Sequence, residues 1–122
     1  MNVVDSSAWM SWIANDRNAE HFKAPILDVE NLLVPTVTLT EVFKSMMRQT
    51  GAGMALQAVT QMKLGRIVLL DSALAIDAAN YGLTLKLPLA DSIIYATARK
   101  YNAVLWTQDA DFKDLPGVRF FP

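Results

Sequence analysis

The chain has 122 residues and a formal charge of −1 at pH 7; 52% of its residues are hydrophobic and 19% are charged. This apolar composition excludes a disordered chain, and the near-zero charge argues against binding nucleic acid through a broad basic face. The chain has no cysteine and only one histidine, which excludes disulfides, thiolate sites and multi-histidine metal sites, so any metal must be held by oxygen.

The length and the hydropathy pattern predict one soluble domain covering residues 1–122. No apolar run approaches the roughly 18 residues that span a bilayer. The first residues, MNVVDSS, also lack the basic segment that begins a secretory signal. We therefore expect a cytoplasmic protein without membrane association.

The first half of the chain alternates short apolar runs with helical patterns. The predicted elements are a strand at 2–4, a helix from 6 to about 14, a turn at 15–18, a short helix before Pro25 or across 26–29, a strand at 32–34 and a helix from 38 to 51. An acid, Asp5, directly follows the first strand.

The second half continues this alternation. It predicts helices at 53–63 and 73–85, a strand at 66–70, a helix that opens at Pro88 and a strand at 103–106. The sheet then has four strands, or five if 118–121 forms an edge strand. Strands that alternate with helices predict an α/β protein whose parallel sheet is covered on both faces.

Four acids stand close to strand ends or in the first turns of the helices that follow. They are Asp5 and Asp109 after strands, and Glu41 and Asp91 near helix starts. Because ligands bind at the carboxyl ends of the strands in open parallel sheets, we expect these acids to gather at one edge of the sheet.

Each of these acids, taken alone, also fits a purely structural role. Asp5 and Asp109 are typical helix or turn caps, and Asp91 complements the positive end of its helix. Thr38 and Glu41 have the spacing of a capping box, in which each side chain bonds the backbone of the other residue.

The four acids as a set point to a metal site. None of them has a Lys or Arg adjacent in sequence, and like charges at one edge repel unless a cation joins them. Carboxylate oxygens suit Mg²⁺ or Mn²⁺. Such ions activate water and stabilise the oxygens of a phosphodiester during in-line displacement.

In their order and spacing, these segments resemble the PIN-domain nucleases. The matching segments are VVDSSAW around Asp5, TLTEVFKSMM around Glu41, LPLADSIIYATA around Asp91 and LWTQDADF around Asp109. The length and the closing motif resemble the VapC toxins of bacterial toxin-antitoxin pairs. The resemblance covers nearly the whole chain and implies a three-layer α/β/α sandwich with a mostly parallel sheet of four to five strands.

The resemblance also implies an activity, a cofactor and partners. The activity is that of a Mg²⁺- or Mn²⁺-dependent endoribonuclease, which a cognate VapB-like antitoxin holds inactive. The implied catalytic acids are Asp5, Glu41, Asp91 and Asp109, and the implied metal ligands are Asp5, Asp91 and Asp109.

Further positions match supporting parts of the family site. Ser7 and Thr107 match supporting hydroxyl groups, Asp111 is a possible fifth acid, and Asp71 matches an acid outside the catalytic set. Since Ser6 adjoins Ser7, the sequence leaves open which of the two hydroxyls faces the acids.

The basic and large apolar residues admit two interpretations. Lys44 and Arg48 lie four residues apart on the helix of Glu41, and Lys86, Arg99 and Lys100 lie near the segment 87–112. These five residues are either ordinary surface charges or a thin rim that contacts phosphates. A tryptophan pair and a methionine pair form either core or the interface of a homodimer or an antitoxin. These residues are Trp9, Trp12, Met46 and Met47.

Two other functional classes compete with the nuclease. A flavodoxin-like phospho-acceptor domain also gathers acids at strand ends, but it would need a second acid near Asp5 and a lysine after the last strand, where Thr107-Gln108-Asp109 has none. A catalytically silent PIN-like interaction module is the other alternative, and the presence of all four acids argues against it.

Overall fold

Five parallel strands form one central sheet in the structure, a computed structural model that describes residues 1–122. The strands are β1 (Asn2–Val4), β2 (Leu32–Pro35), β3 (Arg66–Val68), β4 (Val104–Thr107) and β5 (Val118–Phe120). The helices are α1 (Ser6–Ala14), α2 (Ala19–Leu27), α3 (Thr36–Thr50), α4 (Ala52–Met62), α5 (Ser72–Leu85) and α6 (Leu89–Lys100). The predicted α/β/α sandwich is confirmed, and the segment near residue 118 adds the fifth strand.

The sheet has the strand order β3-β2-β1-β4-β5, which puts β1 at its centre. Val3 of β1 lies opposite Leu33 of β2 and Leu105 of β4. All three side chains are fully buried. Short runs of Val and Leu form such strands because apolar and β-branched side chains suit a sheet that is covered on both faces.

Helices cover both faces of the sheet, and each face has its own apolar core. Helices α5 and α6 pack on the face of Val3, whereas α1, α2, α3 and α4 pack on the face of Val4. Successive residues of a strand point to opposite faces, so consecutive valines contribute to different cores. None of the helices combines the length and the apolarity needed to cross a membrane.

Three predicted local features are wrong. Pro35 has no N–H to donate to the sheet, so it ends β2 and α3 begins at Thr36. Thr38 therefore lies inside α3 with an unpaired hydroxyl, and the predicted capping box does not form. The third strand, predicted to reach residue 70, ends at Val68, before the exposed Leu69 and Leu70. A single helix, α2, runs through Pro25, where the sequence predicted a helix either before or after this proline.

Candidate active site

Asp5 and Asp109 emerge from neighbouring strands at the same edge of the sheet. Strands β1 and β4 are parallel, and Val4 pairs with Trp106. The amide of Asp5 donates to the carbonyl of Trp106 at 3.1 Å, which continues the pairing past the end of β1. The parallel topology therefore delivers both acids to the carboxyl edge.

Hydrogen bonds hold both carboxylate oxygens of Asp5. Oδ1 accepts from the amide of Ala8 at 2.9 Å, so Asp5 is the N-cap of α1, and it also accepts from the hydroxyl of Ser7 at 2.9 Å. Oδ2 accepts from the hydroxyl of Thr107 at 2.9 Å. Thr107 in turn accepts from the amide of Asp109 at 2.8 Å. Asp5 thus acts as a helix cap while it forms part of the acidic edge.

Asp91, Asp109 and Asp111 form a compact group of carboxylates, with one oxygen from each lying within 4.8 Å of the others. Asp91 comes from the first turn of α6. Asp109 accepts from the amide of Asp111 at 2.9 Å and thereby caps the short turn after β4. Asp5, predicted to be a metal ligand with Asp91 and Asp109, is not a member of this group, whereas Asp111 is.

Ser6 and Ser7 bond to different acids. The hydroxyl of Ser6 donates to Oε1 of Glu41 at 2.5 Å, which joins the start of α1 to α3. The hydroxyl of Ser7 donates to Asp5 instead. Both hydroxyls left open by the sequence therefore face the acids.

Burial and mutual repulsion disfavour the charged forms of Asp5 and Asp91. Burial, and after it the charges of Asp109, Asp5, Glu41 and Asp111, together raise the pKa of Asp91 from 3.8 to about 7. Burial likewise raises the pKa of Asp5 to about 6, although its hydrogen bonds oppose the shift. A cation at this edge would relieve the repulsion.

The acidic edge has no ion pair of its own. The one ion pair of the chain joins Lys100 to Asp71 at 3.8 Å. Lys100 ends α6, at the opposite end of that helix from Asp91. Asp71 caps α5 by accepting from the amide of Leu74. Asp71 is therefore a structural acid, and neighbouring Arg99 also lies far from the acidic edge.

Asn18, which the sequence pattern did not single out, anchors the loop that carries Asp109. Its side-chain amide donates to Oε1 of Gln108 at 3.0 Å and to the carbonyls of Phe121 and Pro122 at 3.3 Å. In the sequence Asn18 has only the character of a turn residue. Its partner Gln108 lies 90 residues away, so no local signal identifies the contact.

The fold is that of a PIN domain. The family model described as PIN domain matches residues 3–118, and the chain belongs to this family. The sheet order also differs from the flavodoxin-like order 2-1-3-4-5, so the phospho-acceptor alternative is wrong. No curated protein matches the sequence at a significant level.

Several solved structures are similar to this chain. A toxin-antitoxin complex from Klebsiella pneumoniae is 21% identical with a TM-score of 0.82, covering 98% of this chain and 96% of that one. Mycobacterium tuberculosis VapC20, a toxin that cleaves the sarcin-ricin loop, is 19% identical with a TM-score of 0.82 and full coverage of both chains. DNA-bound VapBC from Salmonella typhimurium is 17% identical with a TM-score of 0.74, covering 98% of this chain and 96% of that one. At these identities the likeness establishes the fold.

Proposed function

We propose that this chain is a metal-dependent endoribonuclease that acts as the VapC-type toxin of a toxin-antitoxin pair in the cytoplasm. The observation that carries the proposal is the gathering of acids around Asp91 with no basic side chain to neutralise them. Membership of the PIN family and the likeness to an RNA-cleaving toxin support the same activity. The proposed catalytic acids are Asp5, Glu41, Asp91 and Asp109.

The residues of the acidic edge fit a hard divalent cation. They offer only oxygen donors, and three carboxylates already lie within 4.8 Å of one another. Mg²⁺ and Mn²⁺ prefer such donors. We assign Asp5, Asp91 and Asp109 as metal ligands, with Asp111 as an additional ligand because it belongs to the compact group. When bound, the ion would supply a water of lowered pKa and neutralise charge on the phosphate.

In the proposed reaction, hydrogen bonds within the protein orient the catalytic acids, and Glu41 accepts a proton. The bonds from Ser7, Ala8 and Thr107 keep Asp5 in one orientation. Glu41 is bonded by Ser6 through Oε1, and its Oε2 can accept the proton of the attacking water. The water oxygen bonds to phosphorus, the bond from phosphorus to one ribose oxygen breaks, and that oxygen takes up a proton.

The proposed partners are RNA as substrate, a VapB-like antitoxin and a second copy of the chain in a homodimer. Similar structures include a toxin-antitoxin complex and DNA-bound VapBC. A catalytically silent PIN domain remains the competing proposal, and an activity assay separates the two.

Cleavage assays test the nuclease proposal. The purified protein, freed of any partner, is expected to cleave RNA with Mg²⁺ or Mn²⁺ and to stop in EDTA, because the acidic edge has no histidine or lysine to replace the metal. Asp5→Asn and Asp91→Asn are each expected to abolish cleavage. Asp77→Asn, an exposed acid within α5, is the matched control and is expected to retain it.

Two results would contradict the proposal. Undiminished cleavage in chelator would remove the role of the metal. Equal loss in all three Asn variants would show that the acidic edge has been assigned wrongly.

A further inference from the structure

A polar groove with a volume of about 390 Å³ lies between α1 and α3 and opens onto the acidic edge. One end is lined by the acid Glu41 and by Ser6 and Ser7. Ser6 bonds to Glu41, and Ser7 bonds to Asp5. The other end is lined by Lys44 and Arg48 of α3. The groove therefore leads directly from the acids to two cations.

Lys44 and Arg48 are exposed, and neither takes part in an ion pair. Four residues along a helix is about one turn, a rise of roughly 6 Å, so both side chains project from the same face of α3. An extended strand that runs along this face meets the two cations in succession. The groove thus offers consecutive positive charges along one direction.

We propose that this groove binds the sugar-phosphate backbone of single-stranded RNA, with Lys44 and Arg48 each contacting one phosphate beside the bond to be cut. This inference rests on the proposed ribonuclease function and adds the path of the substrate. It corresponds to the second interpretation of these residues, a rim that contacts phosphates.

The charge distribution favours a polyanion in this groove. In the metal-free protein the acids repel RNA, so cations outside the acidic cluster must favour its binding. Arg99 and Lys100 cannot supply it, because they lie at the far end of α6 from Asp91. Lys44 and Arg48 follow Glu41 on the same helix and within the same groove.

The salt dependence of RNA binding tests the groove. For single strands, each phosphate contact contributes about 0.7 to the slope of log K against log salt concentration. Lys44→Ala and Arg48→Ala are each expected to reduce the steepness of that slope by about 0.7, and the double variant by about 1.4. Binding of a fluorescent single-stranded oligoribonucleotide is measured in EDTA across a salt series, with a gel to verify that the RNA is intact.

Lys63→Ala is the matched control, since Lys63 is also exposed but precedes β3, at the opposite edge of the sheet from Asp5. Its slope is expected to equal that of the wild type. Alanine is a good helix former, so the α3 variants are expected to fold, and their melting temperatures verify this.

Three outcomes would overturn the groove proposal. The first is an unchanged salt slope in the α3 variants, and the second is a change of slope in Lys63→Ala as large as theirs. The third is that the α3 variants lose as much affinity for an oligoglutamate of matched charge as for RNA, which would indicate an anionic protein partner. Metal-dependent cleavage by the wild type is measured separately. If cleavage persists while the slopes do not change, the path is wrong and the nuclease proposal stands.

Discussion

Asp91 is the acid whose charge the folded protein opposes most strongly. Its pKa is raised to about 7, first by burial and then by the four neighbouring acids. An unfolded chain has neither cause and keeps a value near 3.8. The folded state therefore holds this proton more tightly than the unfolded state does.

This difference predicts how the stability of metal-free protein depends on pH. Because its pKa is higher in the folded state, Asp91 stabilises the fold fully below about pH 4, and this contribution is lost as the pH rises to about 7. Asp91→Asn removes the charge but keeps the shape, so in EDTA its melting temperature is expected to exceed that of the wild type near neutral pH. The gap is expected to close as the pH falls toward 4. A variant that is less stable than the wild type at neutral pH would leave Asp91 only the structural role of complementing the positive end of α6.

The hydroxyl of Ser6 donates a hydrogen bond of 2.5 Å to Glu41, which lies 35 residues further along the chain. We predict that Ser6→Ala lowers cleavage by about 10- to 100-fold, the usual cost of losing a group that orients a site residue. Ser6→Thr keeps a hydroxyl and is expected to restore much of the activity. Ser72→Ala, in the first turn of α5 and outside the groove, is the control. Equal activity in Ser6→Ala and the wild type would contradict this role.

The first turn of helix α1 carries Ser6 and Ser7, which bond to the acids. The two tryptophans of the same helix lie in different environments. Trp9 is 1% exposed and belongs to the core, as does Met46 at 2%. Trp12 is only half-buried and, with Ile13 and Met54, lines an apolar groove between α1 and α4. Of the two interpretations left open by the sequence, the core therefore holds for Trp9 and Met46, whereas Trp12 and the exposed Met47 lie at the surface.

The two tryptophans are expected to respond differently to alanine. Trp9→Ala is predicted to lower the free energy of unfolding by about 3–5 kcal/mol, the cost of emptying a core site. Trp12→Ala is predicted to lower it less and to weaken the antitoxin complex by about 2 kcal/mol, the loss typical of an interface hot spot. Denaturant unfolding and titration of the co-expressed partner measure the two effects. If Trp12→Ala affects stability alone, the α1–α4 groove is not the antitoxin surface.

The whole molecule brings together acids that are far apart in the chain. Asp5 and Asp109 follow strands, Asp91 lies in the first turn of α6 and Glu41 in the second turn of α3. The parallel sheet with β1 at its centre brings them together. The proposed site therefore exists only in the folded protein.

Expression of the chain without a partner is expected to arrest growth, because the proposed activity destroys RNA. Asp5→Asn is expected to relieve the arrest, and Asp77→Asn, the same exchange outside the acidic edge, is expected to preserve it. Growth curves with matched soluble protein levels measure this. Normal growth with abundant soluble wild-type protein would favour the silent interaction module.

The sequence by itself predicted the layers, the parallel sheet and the grouping of the acids. These follow from local information: hydrophobic periodicity marks strands and helices, and residues that follow parallel strands share one edge. The PIN family was identified from the same segments, and the match to residues 3–118 confirms it.

Only the tertiary structure decided the contacts that act over long distances in the chain. It showed the hydrogen bonds from Ser6 to Glu41 and from Asn18 to Gln108. It also showed that Trp9 is buried whereas Trp12 is half-buried. It also excluded the capping box, because Thr38 lies inside α3. A local pattern states what a segment can form, whereas the partner of each polar group depends on which distant element packs beside it.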